Sequence, residues 1–260
     1  MCGRYVLVQK IETIEKRFNV EAPKGLNWEA SYNISLGQMA PVITSEHSNY
    51  IDLMQFGMTP FWAKKQMYLF NARAEGDRNK SNDANFSGSK NIIIKPAFRM
   101  PIRSQRCLVI ADAFIEGSNN EGLLNPYLVY LQNKERPFAM AGIYDEWKNS
   151  ITGELIRSFS IITTTANKLL QKIPHDRMPV ILEKGQEQKW LNLRTPLSEI
   201  TKMLRPFKAE LMNAYPISPE VKSPKVDRRE LIRPMGERLE PEYNINSSEH
   251  IDLHGMGRYK

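Results

Sequence analysis

The sequence predicts an α+β fold in which a curled, mostly antiparallel sheet carries flanking helices. Three observations lead there. Short runs of strand character outnumber helical ones, the helical stretches are brief, and no glycine-rich loop of the kind that opens a doubly wound nucleotide fold occurs. With 41% of its 260 residues hydrophobic, the chain has the material for one large core. One domain over residues 1–235 is expected, followed by a polar, flexible tail at 236–260, because apolar content falls after Pro216.

In chain order, Arg4-Tyr5-Val6-Leu7-Val8 has strand character, and Ile11, Ile14 and Phe18 then recur at helical spacing. Pro41-Val42-Ile43-Thr44 and Ile51-Asp52-Leu53 read as hairpin arms across a polar turn. Phe56-Gly57-Met58-Thr59-Pro60-Phe61-Trp62 reads as an aromatic loop interrupted by proline. Residues 77–90, rich in Asn, Ser and Lys, read as a mobile loop or short helix. Strands are expected at 106–116, 127–131, 138–147 and 155–165. A short helix at 167–173, the loop Pro174-His175-Asp176-Arg177 and a strand at 178–182 follow. Helices are expected at 186–193 and 197–204, with Pro196 placed to open the second.

Charge and cysteine usage narrow the function classes. Thirty-six Lys and Arg against 29 Asp and Glu leave a formal charge of +7, which favours a polyanionic partner. No apolar run is long enough for a secretory signal or a bilayer span, so a soluble, cytoplasmic protein without membrane contact is expected. The two cysteines, Cys2 and Cys107, stand far apart without a Cys-x-x-Cys or histidine-rich cluster, so reduced thiols, no metal and no cofactor are expected. Cys107, inside Cys107-Leu108-Val109-Ile110, is expected to pack in the core.

Chemistry concentrates at the opening Met1-Cys2-Gly3-Arg4. Removal of Met1 leaves Cys2 with an amine and a thiol on adjacent carbons, a 1,2-aminothiol that no internal cysteine offers. Its α-amine has a reference pKa of about 7.8 against about 10.4 for lysine, so much more of it is unprotonated at neutral pH. An aldehyde meeting such a residue forms an imine with the amine, which the tethered thiol closes to a five-membered thiazolidine. Glu116 ends the apolar run at 111–115, where desolvation suits a carboxyl to proton transfer near neutrality, and His175 is one of only four histidines. Asn71 and Arg73 alternate along an extended segment and so face the same side, as an amide on a reacting atom and a guanidinium on a phosphate require. Each of these has a plain counterpart: a small residue after the start codon, a strand-end Glu, a loop histidine.

Four blocks in order, Met1-Cys2-Gly3-Arg4, Asn71-Ala72-Arg73-Ala74-Glu75, Ala111-Asp112-Ala113-Phe114-Ile115-Glu116 and His175-Asp176-Arg177-Met178-Pro179-Val180-Ile181-Leu182, resemble the SRAP family, whose members process abasic sites. Tyr32-Asn33-Ile34, Phe61-Trp62-Ala63 and Glu230-Leu231-Ile232-Arg233-Pro234 extend the resemblance to about Met235. It implies a single α+β domain on a barrel-like sheet that traps the ring-opened aldehyde of an abasic site in single-stranded DNA as a thiazolidine, with β-elimination as a side reaction. Cys2 would be the nucleophile, Asn71 would orient the adduct, and Glu116 and His175 would move protons. Arg4, Arg73 and Arg177 would hold phosphates, Phe61 and Trp62 would stack on bases, and the protein would sit on the nucleoid when DNA-bound. Ile115, Gly117 and Leu36 depart from the family pattern, thinning the expected base stacking near the lesion, and Gly76 and Ser31 depart from it at positions that bear on the DNA path.

Two other classes stay open at this stage. Cys2 and His175 would also serve a thiol autopeptidase or an N-terminal-nucleophile amidohydrolase, although the Arg-Gly-Pro-Asp element expected of class II glutamine amidotransferases is missing. A non-catalytic single-strand-binding module would account for the charge and the aromatics alone.

Overall fold

The computed structural model describes residues 2–132 and 136–242. Its strands are β1 (Arg4–Leu7), β2 (Ser31–Ser35), β3 (Met39–Thr44), β4 (Asp52–Phe56), β5 (Asn71–Arg73), β6 (Arg106–Ala111), β7 (Ala113–Glu116), β8 (Tyr127–Leu131), β9 (Phe138–Lys148), β10 (Leu155–Thr165), β11 (Arg177–Pro179) and β12 (Met212–Pro216). Five short helices flank them: α1 (Ile11–Phe18), α2 (Pro101–Ser104), α3 (Lys168–Lys172), α4 (Gln186–Leu191) and α5 (Leu197–Met203). The fold is the expected α+β arrangement; the helix expected from Ile11, Ile14 and Phe18 spans 11–18, and those expected at 167–173, 186–193 and 197–204 are one or two residues shorter.

The curl is a closed barrel. Strand β4 pairs with β3, β3 with β6, β6 with β9 and β9 with β10, all antiparallel, and β10 returns to β4 in parallel. Closure removes the unpaired edges that an open sheet exposes. A second sheet, in the order β12-β8-β7-β1-β2, packs against the barrel. An aromatic trio joins the two layers: Phe56 stacks on Phe159 at 5.2 Å and meets Tyr5 edge-on at 5.6 Å.

The run at 106–116, expected as one strand, is divided at Asp112. The buried Asp112 carboxylate accepts hydrogen bonds from the Val8 and Gln9 amides at 2.7 and 3.2 Å, and its own amide donates to the Val6 carbonyl. The chain thereby leaves the barrel as β6 and enters the second sheet as β7.

Strand β10 divides the neighbours on both its edges. Its first half pairs with β4 and β9 inside the barrel; from Ile161 one edge takes β5 in place of β4, and from Thr163 the other takes β11 in place of β9. That exchange brings Asn71 and the loop before Arg177 to opposite sides of one strand.

Two strands were not expected. In β2 the alternating Ser31, Asn33 and Ser35 hide the apolar pattern; all three are buried, and the C-terminal segment supplies the partners of Ser31 and Asn33. Asn33 donates to the Ser223 and Val226 carbonyls at 2.9 and 2.8 Å, and Ser31 to Asp227 at 2.6 Å. Strand β12 is covered similarly: the Leu239 amide donates to Ala214, Asn213 to the Glu240 carbonyl, and Arg238 to the Tyr130 hydroxyl. Residues 236–242, expected to belong to the tail, thus pack on the domain. The remainder of that expected tail, 243–260, lies outside the described residues.

Candidate active site

Register brings the opening residues to Glu116. Arg4 pairs with Ile115 across β1 and β7, and the next step of that antiparallel ladder sets Glu116 beside Gly3. Cys2 precedes β1 and is fully buried, its thiol 3.9 Å from the Arg4 carbonyl. Burial pushes the thiol pKa well above its ordinary value, and the nearby Glu116 charge pushes it further. The thiol is therefore protonated at neutral pH and needs a base to act.

Asn71 opens β5 and reaches the same place. Its amide nitrogen donates to the carbonyls of Cys2 and Phe70, both at 2.9 Å, while its buried Oδ1 has no hydrogen-bond partner among the described residues. From the other side of β10 comes His175, whose Nε2 lies 3.3 Å from Oε2 of Glu116. Both side chains are buried. Burial holds the His175 pKa below its ordinary value, against the opposing pull of Glu116 and of a hydrogen bond to the Gly117 backbone. A neutral imidazole beside a carboxylate can accept a proton and return it.

A cavity of about 510 Å³ is lined by Gly3, Arg4, Glu116 and His175, with Leu36, Phe70 and Ile115 as apolar walls; Cys2 and Asn71 do not line it, but each adjoins a residue that does, Gly3 and Phe70. Residues 117–123 fold back over it. A Cβ on Gly117 would lie 1.7 Å from the Gly122 carbonyl oxygen, so only glycine permits this return. The Asn119 amide then donates to the Pro174 carbonyl at 3.0 Å, tying the fold-back to the residue before His175.

The arginines divide. Arg4 is half-buried and donates to the Lys222 carbonyl at 2.9 Å while facing the cavity. Arg73 is partly buried and reaches the Asn79 carbonyl and the Asn82 side chain. Arg177, expected to face a phosphate, is instead buried: it pairs with Glu75 at 2.9 Å and donates to the Thr163 carbonyl at 2.8 Å. Its cost of desolvation is met inside the protein. Phe61 and Trp62 lie outside the cavity, exposed. Sequence reasoning gave no role to Glu75, although it ends the Asn71-to-Glu75 block, nor to the fold-back at 117–123. A lone Gly117 carries no sign of the carbonyl that it accommodates.

Residues 1–224 match the profile of the family described as SOS response associated peptidase (SRAP). The chain belongs to the SRAP family. Its relatives include the Bacillus subtilis protein named abasic site processing protein YoqW, 34% identical over 240 residues that span 89% of this chain and 99% of that protein. The Gallus gallus abasic site processing protein HMCES is 30% identical, over 80% of this chain and 67% of its own length. The SRAP fold recurs in a solved structure from Bacteroides thetaiotaomicron at a TM-score of 0.73 and 31% identity, covering 86% of this chain and 97% of that one.

Proposed function

We propose that this SRAP protein processes abasic sites by covalent capture: Cys2, once Met1 is removed, traps the ring-opened aldehyde in single-stranded DNA as a thiazolidine. The observation that carries the reading is the clustering of Cys2 with the Asn71 amide that holds its carbonyl and with the Glu116–His175 pair that lines the cavity. The names of the relatives support the lesion as substrate.

The steps balance. With residue 1 attached, the Cys2 nitrogen is an amide and its lone pair is delocalised. As an amine it adds to C1′ of the aldehyde, and the hemiaminal loses water to give an imine. The thiol then adds to the imine carbon, forming the C–S bond while its proton passes to nitrogen. Aldehyde and aminothiol thus give thiazolidine and one water. Each step moves a proton, and Glu116 and His175 carry them, since the buried thiol is protonated at rest. Asn71 holds the Cys2 carbonyl and so sets the direction from which the nucleophile approaches. Elimination from the imine is a competing lyase path that ring closure stops.

The family description favours one second reading, a thiol autopeptidase in which Cys2 and His175 cleave the bond after residue 1. Both readings are tested together by incubating the protein with abasic and intact oligodeoxynucleotides, then applying denaturing electrophoresis and intact mass. Capture yields a heat-stable species of mass protein without Met1 plus strand minus water, on the abasic strand only. Loss of Met1 from purified protein, abolished in Cys2→Ala, marks the peptidase.

A further inference from the structure

The cavity lined by Glu116 and His175 is larger and more apolar than an abasic sugar requires. At about 510 Å³ it falls within the range of roughly 300–1,000 Å³ in which clefts enclose a whole small molecule, whereas a sugar stripped of its base is short and polar. Its apolar walls are Leu36, Phe70, Ile115 and Leu123, drawn from separate parts of the chain.

These walls are held in place by the fold. Ile115 lies within β7, paired with Arg4 of β1 and Leu128 of β8. Leu123, on the fold-back, packs against the smaller core that contains Val221 and Leu231. The Phe70 carbonyl accepts from the Ile161 amide at 3.0 Å and from the Asn71 side chain at 2.9 Å. Leu36 is the wall most open to water, 42% exposed. Charge is sparse by comparison. Arg4 is the one Lys or Arg in the lining, and it already donates to the Lys222 carbonyl at 2.9 Å. An aliphatic chain, in contrast, gains about fourfold in binding for each methylene that it buries against such walls.

Capture chemistry itself needs no strand. The aminothiol of Cys2 requires an aldehyde carbon, and the proton carriers Glu116 and His175 face the cavity that Cys2 adjoins through Gly3. We propose that this site also captures free aldehydes bearing an aliphatic chain, the chain lying along Leu36, Phe70, Ile115 and Leu123 while Cys2 closes on the carbonyl carbon. The proposal rests on covalent capture by Cys2 and extends its substrate class from a lesion-bearing strand to a small apolar aldehyde. The balance is that of the strand reaction. The amine adds to the carbonyl carbon, the hemiaminal loses water, and the thiol adds to the imine carbon as its proton passes to nitrogen, giving one thiazolidine and one water without oxidant or reductant.

The test uses the full chain with Met1 removed, hexanal and acetaldehyde as probes, and a free peptide of residues 2–5 as the measure of intrinsic reactivity. Intact mass reads the product as protein plus aldehyde minus one water, absent in Cys2→Ala. The ratio of hexanal to acetaldehyde capture rates is expected to exceed the peptide's ratio by about tenfold. Leu36→Ser and Leu123→Ser each lower that ratio about fourfold, with circular dichroism as the check on folding. A ratio equal to the peptide's, or the parent ratio kept in both variants, overturns the proposal. An abasic oligodeoxynucleotide is run beside the aldehydes. Adduct on the strand with a peptide-like ratio removes the aldehyde class and leaves the strand reading standing. Hexanal selectivity without a strand adduct removes the strand reading and leaves the aldehyde class, and no adduct of either kind removes both.

Discussion

Nε2 of His175 lies 3.3 Å from Oε2 of Glu116, with both side chains withdrawn from water. The two groups share a site but reach it from different sheets, one on β7 and the other just before β11. Because burial depresses the His175 pKa and Glu116 opposes that depression, Glu116→Gln is expected to move the His175 titration further below the ordinary 6.5, as read by NMR of the imidazole. The same variant slows capture by on the order of 10²-fold, yet binds an intact strand like the parent. An unmoved imidazole titration would show that the pair is not electrostatically coupled. A base with a lowered folded pKa contributes nothing unfavourable above the unfolded-state value and costs stability as pH falls through it, so acid unfolding below about pH 6.5 should be blunted in His175→Gln.

Substitution of the nucleophile separates its two functions. Cys2→Ala is expected to abolish the heat-stable adduct, while Cys2→Ser keeps an amine and forms an imine that borohydride traps. Cys107 does not substitute, because as an internal residue buried in the barrel wall it has no free α-amine beside its thiol with which to form the imine. Full adduct yield from Cys2→Ala, measured on denaturing gels, would sink the assignment.

Retention of residue 1 blocks the amine. Protein with Met1 in place, its terminus verified by mass spectrometry, is expected to give no adduct until that residue is removed. Equal yield from both forms would show that the amine is not the nucleophile.

Arginine variants divide by burial. Breaking the Glu75–Arg177 pair through Arg177→Ala leaves a buried carboxylate and is expected to cost roughly 3–5 kcal/mol of stability, read by denaturant unfolding. Arg4→Ala leaves stability nearly unchanged and lowers the salt slope of single-strand binding by about 0.7. A larger slope change from Arg177 than from Arg4 would reverse this division.

The fold-back over the cavity offers a steric test. Gly117→Ala sets a methyl against the Gly122 carbonyl, so residues 117–123 must move, and the tie from Asn119 to Pro174 moves with them. A loss of roughly 1–3 kcal/mol is expected, together with slower capture at unchanged affinity for intact strands. Parent rates in this variant would mean that the fold-back does not position His175.

Local pattern made much of the molecule legible. Strands β8, β9 and β10 and helices α3, α4 and α5 follow from apolar runs, helical spacing and the proline before α5, because those signals act between residues near in sequence. Cys2, Asn71, Glu116 and His175 could be picked out as candidates in the same way, since an aminothiol terminus and polar groups ending apolar runs stand out in one dimension. Tertiary structure alone decided the rest. Strand β2 owes its burial to partners near residues 223–227, almost two hundred positions away, and the closure of β10 onto β4 joins residues a hundred apart. The same distance explains Arg177. Its sequence neighbours present an arginine suited to a phosphate, but β10 draws β5 and β11 onto its two edges and brings Glu75 to 2.9 Å. Whether a charge faces solvent, a substrate or a buried counterion is a property of what the folded chain sets beside it, and no local pattern encodes that neighbour.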